Sequence, residues 1–287
     1  ADLNYKQLGQ SIYGQAANDY LGWSLSLSGD GKILAIGAPG NDVDANIFNS
    51  GQVRVYGWDE VALNYNQIGQ AITGGGAGDS LGQSLALSED GNTLVVGASQ
   101  WPDSDGPGYV KTYRWDKAAM NYQQIGQLIP GKASGDEFGF SVSLSADGQT
   151  LAVGAPGSFT GDLIPGYVQV YGWDEAALAY TQQGQSITGE AVGDWLGFSI
   201  DLSADGKTLA TGAPSEDSFN RPGHVNVYGL DGDVSSWKQL GQRITGEFVG
   251  GRFGYAVALS ADGETLATGS PYNGSYSGQV GVFNIES

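Results

Sequence analysis

The sequence predicts an all-β chain folded as a five-bladed β-propeller of four-stranded antiparallel blades. Three observations carry that expectation. First, a Gln-x-Gly-Gln element recurs, beginning at Gln7, Gln67, Gln124, Gln182 and Gln239. An Asp-Gly pair follows at Asp30, Asp90, Asp147, Asp205 and Asp262, and both series step by 60, 57, 58 and 57 residues. A period of that size in strand-like text marks a solenoid or a propeller. Second, the text within each unit alternates as strands do. Third, the chain opens on a lone strand of the fourth type, Tyr5 to Ile12, and finishes after a strand of the third type, Gln279 to Ile285. The N-terminal strand is therefore expected to complete the last blade and leave no edge unpaired.

The third unit displays the elements in order. Phe138 to Ser145 alternates large and small residues and reads as strand A. Ala146-Asp147-Gly148-Gln149 is a tight turn in which Gly supplies a positive φ. Thr150 to Ala155 is an apolar strand B that Pro156 ends, because Pro cannot donate to a ladder. After a loop, Tyr167 to Trp173 is strand C. Asp174 to Leu178 fits one helical turn capped by Asp174. Tyr180 to Ile187 is a weaker strand D. We read one domain over 1–287, with units of approximately 5–64, 65–121, 122–179, 180–236 and 237–287.

Strand A is expected to line the axis. Small residues (Ser24, Ser84, Ser141, Ser199, Ala256) alternate there with Leu25, Leu85, Val142, Ile200 and Val257, so that blades interdigitate. Asp201 breaks a second row of small residues (Ser26, Ala86, Ser143, Ala258), and a carboxylate there needs water or a partner. We expect it to face a water-filled tunnel.

Net charge is -19 with 12 Lys and Arg, which argues against nucleic acid and anionic membranes as partners. No apolar run approaches the roughly 20 residues of a membrane helix, so no membrane insertion is expected. The absence of Cys removes disulfides and thiol chemistry.

Length variation is confined to the B–C loops. The first Gln and the next Asp-Gly are 23 residues apart in all five units, and the strand-C aromatic and the next Gln are 11 apart in all four cases. The Asp-Gly to aromatic distance runs 26, 23, 24, 23 and 21. Variable loops on a rigid scaffold are where binding usually resides. Their candidate ligand-binding residues are Trp101, Asp103, Asp105, Phe159, Asp162, Asp217, Phe219, Arg221, Tyr272 and Tyr276. Aromatic rings beside carboxylates suit stacking on a sugar while accepting its hydroxyl hydrogen bonds. Asp42, Asp44 and Asn46 have the alternate-oxygen start of a calcium loop without Gly at its sixth position or Glu at its twelfth. No other cofactor is suggested. The Asp that precedes strand A, at Asp19, Asp79, Asp136 and Asp194, reads as a turn former. His224, aligned with Gln52, Tyr109, Tyr167 and Gln279, reads as drift at a strand-C position.

The units resemble the FG-GAP repeats of integrin-alpha-type propellers and their microbial relatives. Phe138-Gly139, Val153-Gly154-Ala155-Pro156 and Gly166-Tyr167-Val168 carry the resemblance. Matching text stands at Leu21-Gly22, Leu196-Gly197 and Phe253-Gly254, while Ser99 replaces the Pro in unit two. The resemblance implies an extracellular or cell-surface protein active in adhesion or ligand binding. The family's calcium loop is reduced to its Asp-Gly pair, so calcium is not carried over. The Trp58-Asp59, Trp115-Asp116 and Trp173-Asp174 pairs do not make WD repeats, because the period is too long and the Gly-His partner is missing.

The expected function is a non-catalytic extracellular binding or adhesion module, with a glycan or protein ligand on the B–C and D–A loop face. A protein-interaction scaffold without a small ligand is one alternative. A glycoside hydrolase, which needs two flanking carboxylates, is the other.

Overall fold

The computed structural model describes residues 5–43, 47–100, 106–157, 164–215, 221–232, 236–272 and 277–285. Among them every regular element is a strand, and the strands form five separate antiparallel sheets. Sheet 1 is β1 (Ser24–Leu27), β2 (Ile33–Ala38), β3 (Gln52–Asp59) and β4 (Asn64–Gln67), with β5 (Ile72–Thr73) also on β3. Sheet 2 is β6 (Leu81–Leu87), β7 (Thr93–Ala98), β8 (Tyr109–Asp116) and β9 (Asn121–Pro130). Sheet 3 is β10 (Ser141–Leu144), β11 (Thr150–Ala155), β12 (Tyr167–Asp174) and β13 (Ala179–Gln182), with β14 (Ile187–Thr188) also on β12. Sheet 4 is β15 (Ser199–Leu202), β16 (Thr208–Ala213), β17 (His224–Leu230) and β18 (Trp237–Thr245). Sheet 5 has three described strands, β19 (Ala256–Leu259), β20 (Thr265–Ser270) and β21 (Gln279–Asn284).

The first strands β1, β6, β10, β15 and β19 lie side by side in that order. Four isolated parallel bridges join consecutive sheets: Gly51 with Leu81, Gly108 with Phe138, Gly166 with Leu196 and Gly223 with Phe253. The A–B turns are linked as well. The amide of Gly29 donates to the Glu89 carbonyl, Glu89 to Ala146, Ala146 to Ala204 and Ala204 to Ala261. The core between sheets 1 and 2 packs Val53 and Val55 against Leu85, and the other junctions repeat this layering.

Each A–B turn is closed by its own side chains. Ser145 Oγ donates to Asp147 Oδ1 at 2.6 Å and accepts from the Thr150 amide at 2.8 Å, and the other four turns share the pattern. These Ser–Asp bonds stand where the related calcium loop would have its ligands. The Asp that precedes the first strand of sheets 1 to 4 forms a turn, as expected. Asp79 Oδ2 accepts the amides of Gly75 and Gly76, and Asp136 Oδ2 those of Lys132 and Ala133.

Four expectations are corrected. Asp174 starts a turn and not a helix: its Oδ1 accepts the amides of Ala176 and Ala177, and the chain re-enters a strand at Ala179. Strand A begins three residues later than expected, because Gly139 takes φ +88° where the chain turns into the sheet. Asp201 is partly buried and is held by protein groups, not by water alone. Its carboxylate is a latch between sheets, accepting Ser143 Oγ at 3.1 Å and the Leu259 amide at 2.8 Å. Residues 5–12 form no strand. They lie against sheet 1, where the Gln10 amide donates to Asn64 Oδ1 at 2.8 Å, as the Gln70 amide does to Asn121.

Candidate functional site

The third strands of sheets 2 and 3 begin with a tyrosine that is tied to the turn-forming Asp. Tyr109 donates to Asp79 Oδ2 at 2.7 Å, and Tyr167 to Asp136 Oδ2 at 2.7 Å. Burial first, and then the adjacent carboxylate, drive both phenols far above their usual range, so they remain donors at any ordinary pH. In sheet 4 the same position is His224. A histidine places no phenol oxygen against Asp194, and the carboxylate turns to Arg221: Nη1 reaches Oδ1 at 2.6 Å, while Nη2 donates to the Val192 carbonyl at 2.5 Å. A second pair, Arg243 Nη1 to Glu190 Oε2 at 2.6 Å, closes the outer side.

These substitutions leave a cleft of about 160 Å³, lined among others by Glu190, Asp194, Ser215, Arg221, His224 and Arg243. His224 is 5 % exposed and its Nε2 has no hydrogen bond, and the same holds for the Ser215 hydroxyl at 2 % exposure. Buried polar atoms are nearly always paired, so two orphans in one cleft call for a reason. The Ser215 backbone has φ +60° and its amide donates to the Asp194 carbonyl at 3.1 Å, which pins the hydroxyl beside the ion pair. Burial holds the His224 pKa below its usual 6.5. Arg243 and Arg221 act in the same direction, while Asp194 and Glu190 oppose them. The imidazole is therefore neutral at pH 7, and its Nε2 carries no hydrogen bond in a cleft that Arg221 and Arg243 also line. That arrangement can take a proton and hold a developing oxyanion.

A second feature borders the first. Phe140, Phe198 and Tyr255, each just before an inner strand, pack in a row of tilted rings with centroids 5.0 and 4.7 Å apart. The Arg252 guanidinium lies over Trp195 at 5.6 Å and over Tyr272 at 4.8 Å.

Of the residues singled out from sequence, Arg221 lines the cleft and Tyr272 belongs to the aromatic row. They flank one segment from opposite sides: Arg221 through Asp194, and Tyr272 through Arg252 and Trp195. Asp42 Oδ1 accepts the Asn49 amide at 2.8 Å and so serves its own loop. Among the described residues no group of three or more acids and histidines is arranged to hold a metal. Trp101, Asp103, Asp105, Phe159, Asp162, Asp217, Phe219, Tyr276, Asp44 and Asn46 lie outside the described residues.

His224 was missed because it was weighed as a single position. The signal lay in its company: it is the chain's only histidine, and three of the five arginines fall between 221 and 252.

The family model described as FG-GAP repeat matches residues 14–56 and 124–171. Over those two stretches the chain carries FG-GAP repeats. No curated protein matches it. Solved structures match over nearly its whole length. The periplasmic gluconolactonase of Pseudomonas aeruginosa is 20% identical with a TM-score of 0.57, covering 92% of this chain and 72% of that one. A candidate 6-phosphogluconolactonase from Bacteroides uniformis is 11% identical with a TM-score of 0.52, covering 97% and 88%. The hydrazine synthase of Kuenenia stuttgartiensis is 16% identical with a TM-score of 0.56, covering 96% and 80%. At these identities the likeness speaks for the β-propeller fold.

The expectation of a non-catalytic adhesion module is corrected. The three solved structures named above are enzymes, two of them lactonases by name, and none is named as an adhesion module. The error came from carrying the role of one branch of FG-GAP propellers onto a scaffold that hosts many functions. Among the described residues, no helix is long and apolar enough to cross a membrane.

Proposed function

We propose that the chain is a hydrolase that opens a small cyclic ester, with the sheet 4 cleft as its reaction site. One observation carries the reading: the free Nε2 of His224 in a cleft flanked by Arg221 and Arg243, at a position where sheets 2 and 3 close the same space with tyrosine. In the reaction, water attacks the ester carbonyl carbon while His224 Nε2 takes its proton. The guanidinium groups face the oxyanion. On collapse the ring C–O bond breaks, and the imidazolium returns its proton to the leaving alkoxide, giving a hydroxy acid. Asp194 and Glu190 stabilise the transient imidazolium. A sugar-derived lactone is the substrate class that the names of the two lactonases support. Glycoside hydrolysis fits the cleft less well, because both of its carboxylates are engaged by arginines. A location outside the cytoplasm is consistent with the periplasmic neighbour.

The test is the initial rate of acid release from a panel of five- and six-membered sugar lactones, measured against their spontaneous opening. Acceleration that is lost in His224→Gln supports the reading. Rates equal to the blank across the panel refute it.

We also infer that the five sheets close into a five-bladed ring, with residues 5–12 completing sheet 5. The register follows from the other sheets. Tyr56 faces Gln67 and Val53 faces Ile72, so Phe283 would face Gln7 and Val280 would face Ile12. Closure has a steric signature. A Cβ on Gly37, Gly97, Gly154 or Gly212 would stand 2.1–2.2 Å from the carbonyl oxygen of the next sheet's Gly82, Gly139, Gly197 or Gly254. A Cβ on Gly269 meets nothing nearer than 3.7 Å. If Gly22 seats there, Gly269→Ala is as damaging as Gly212→Ala. If the melting temperature is unchanged by Gly269→Ala, closure is wrong.

A further inference from the structure

The two ends of the sheet array carry the two halves of one junction. In the four internal junctions the third strand offers a valine or threonine pair, and the next first strand covers it with large apolar side chains. Val53 and Val55 are 0% and 2% exposed beneath Leu85 and Leu87, at 7% and 8%. At the ends the same positions lie open: Val280 and Val282 are 73% and 67% exposed, Leu25 and Leu27 61% and 53%. Beside Val280, a cleft of about 440 Å³ marks the vacant seat, lined by Tyr255, Ala256, Gly269 and Gly278 among others.

This seam also lacks polar latches. Ser24, Ser84, Ser141 and Ser199 each donate Oγ to a glycine carbonyl of the next sheet at 2.6–2.8 Å. Ser26, Ser143 and Asp201 accept an amide of the next first strand. Sheet 5 has Ala256 and Ala258 at the two positions. A junction closed between sheets 5 and 1 would therefore lack both of these side-chain latches.

We propose that this seam exchanges between two copies of the chain. The Leu25 and Leu27 face of one copy seats on Val280 and Val282 of the other, and the reciprocal contact closes a head-to-tail pair. The inference rests on the closure reading, since both use the same packing. The occupant is a second copy because the missing half has the shape of the four repeated junctions, and this chain supplies that shape. Exchange of an identical element is a low-cost route to a dimer. The net charge of -19 opposes it, so salt should promote it.

The absence of cysteine makes a clean experiment possible. Ile12→Cys combined with Val280→Cys is oxidised mildly over a range of protein and salt concentrations. The products are sized by non-reducing electrophoresis and light scattering. The expected result is a cross-linked dimer whose share rises with both. A cross-link confined to monomers at every concentration overturns the exchange and leaves ring closure standing. No cross-link of either kind overturns both. In the single variant Leu25→Lys the dimer share should fall at least about tenfold, because a buried ammonium has no partner there. Persistence of the dimer in that variant, with an unchanged far-ultraviolet spectrum, also overturns the exchange.

Discussion

His224 and Asp201 are a matched pair of exceptions: each breaks a repeated position, and each is a titratable group whose pKa is shifted by burial, down for His224 and up for Asp201. Burial lowers the His224 pKa, so its folded value lies below the unfolded one. Its contribution to stability is present above pH 6.5 and is lost as pH falls through the lowered value. In the proposed role of catalytic base it would stay active at pH values where an ordinary histidine is half protonated. The kcat/KM profile of lactone opening should therefore hold its plateau down to pH 6.5 and fall below it. His224→Gln should cost about 10²–10⁴-fold in kcat, the usual worth of a general base, and Arg221→Gln about 10²-fold, the usual worth of an oxyanion donor. Burial raises the Asp201 pKa, which reverses the sign. Its contribution is present below pH 3.8 and is lost as pH rises through the raised value. Asp201→Ser restores the latch used at Ser26 and Ser143 without the buried charge. It should raise the melting temperature at neutral pH and leave it unchanged in acid.

The repeated element is a strand pair fastened by short-range polar chemistry. The Ser-x-Asp-Gly turn bonds to itself, and the fourth strand returns to it through a tyrosine. Tyr65, Tyr122 and Tyr180 each donate to the carbonyl of Gly31, Gly91 or Gly148 at 2.5 Å. The same rings pack edge-on against Trp58, Trp115 and Trp173 at 5.1–5.3 Å. Tyr180→Phe removes a buried bond and should cost about 1 kcal/mol, the typical net worth of one. Denaturant unfolding would read this as a lower midpoint at constant slope. A loss of zero would mean that the ring alone holds the strand. These elements were legible in sequence because each depends on residues within one unit. Their boundaries were less so: the fourth strand breaks into β13 and β14 around Gly184, whereas β9 and β18 run on through Gly126 and Gly241, which take positive φ as well.

At the scale of the whole molecule, stability is a sum over like junctions, as in other repeat architectures. Gly154→Ala sets a Cβ 2.1 Å from the Gly197 carbonyl oxygen, against backbone that cannot move aside. It should cost about 1–3 kcal/mol, the usual penalty of overpacking. A comparable drop in melting temperature for Gly154→Ala and Gly212→Ala would show that the junctions contribute alike. A much smaller drop for either would break that equivalence.

The sequence by itself determined the number of sheets, their strand order, the turn chemistry and the variable loops. All of these follow from a period, from alternation and from contacts a few residues apart. It did not determine the cleft. His224, Arg221, Arg243, Asp194 and Glu190 come from three different segments, and one departure from the repeat gains meaning only when the others are beside it. Nor did it determine the state of the seam. The same apolar faces appear in the text of every unit, and only the packed structure separates the eight that are paired in four junctions from the two that are exposed, because burial belongs to neighbours in space and not to neighbours in the chain.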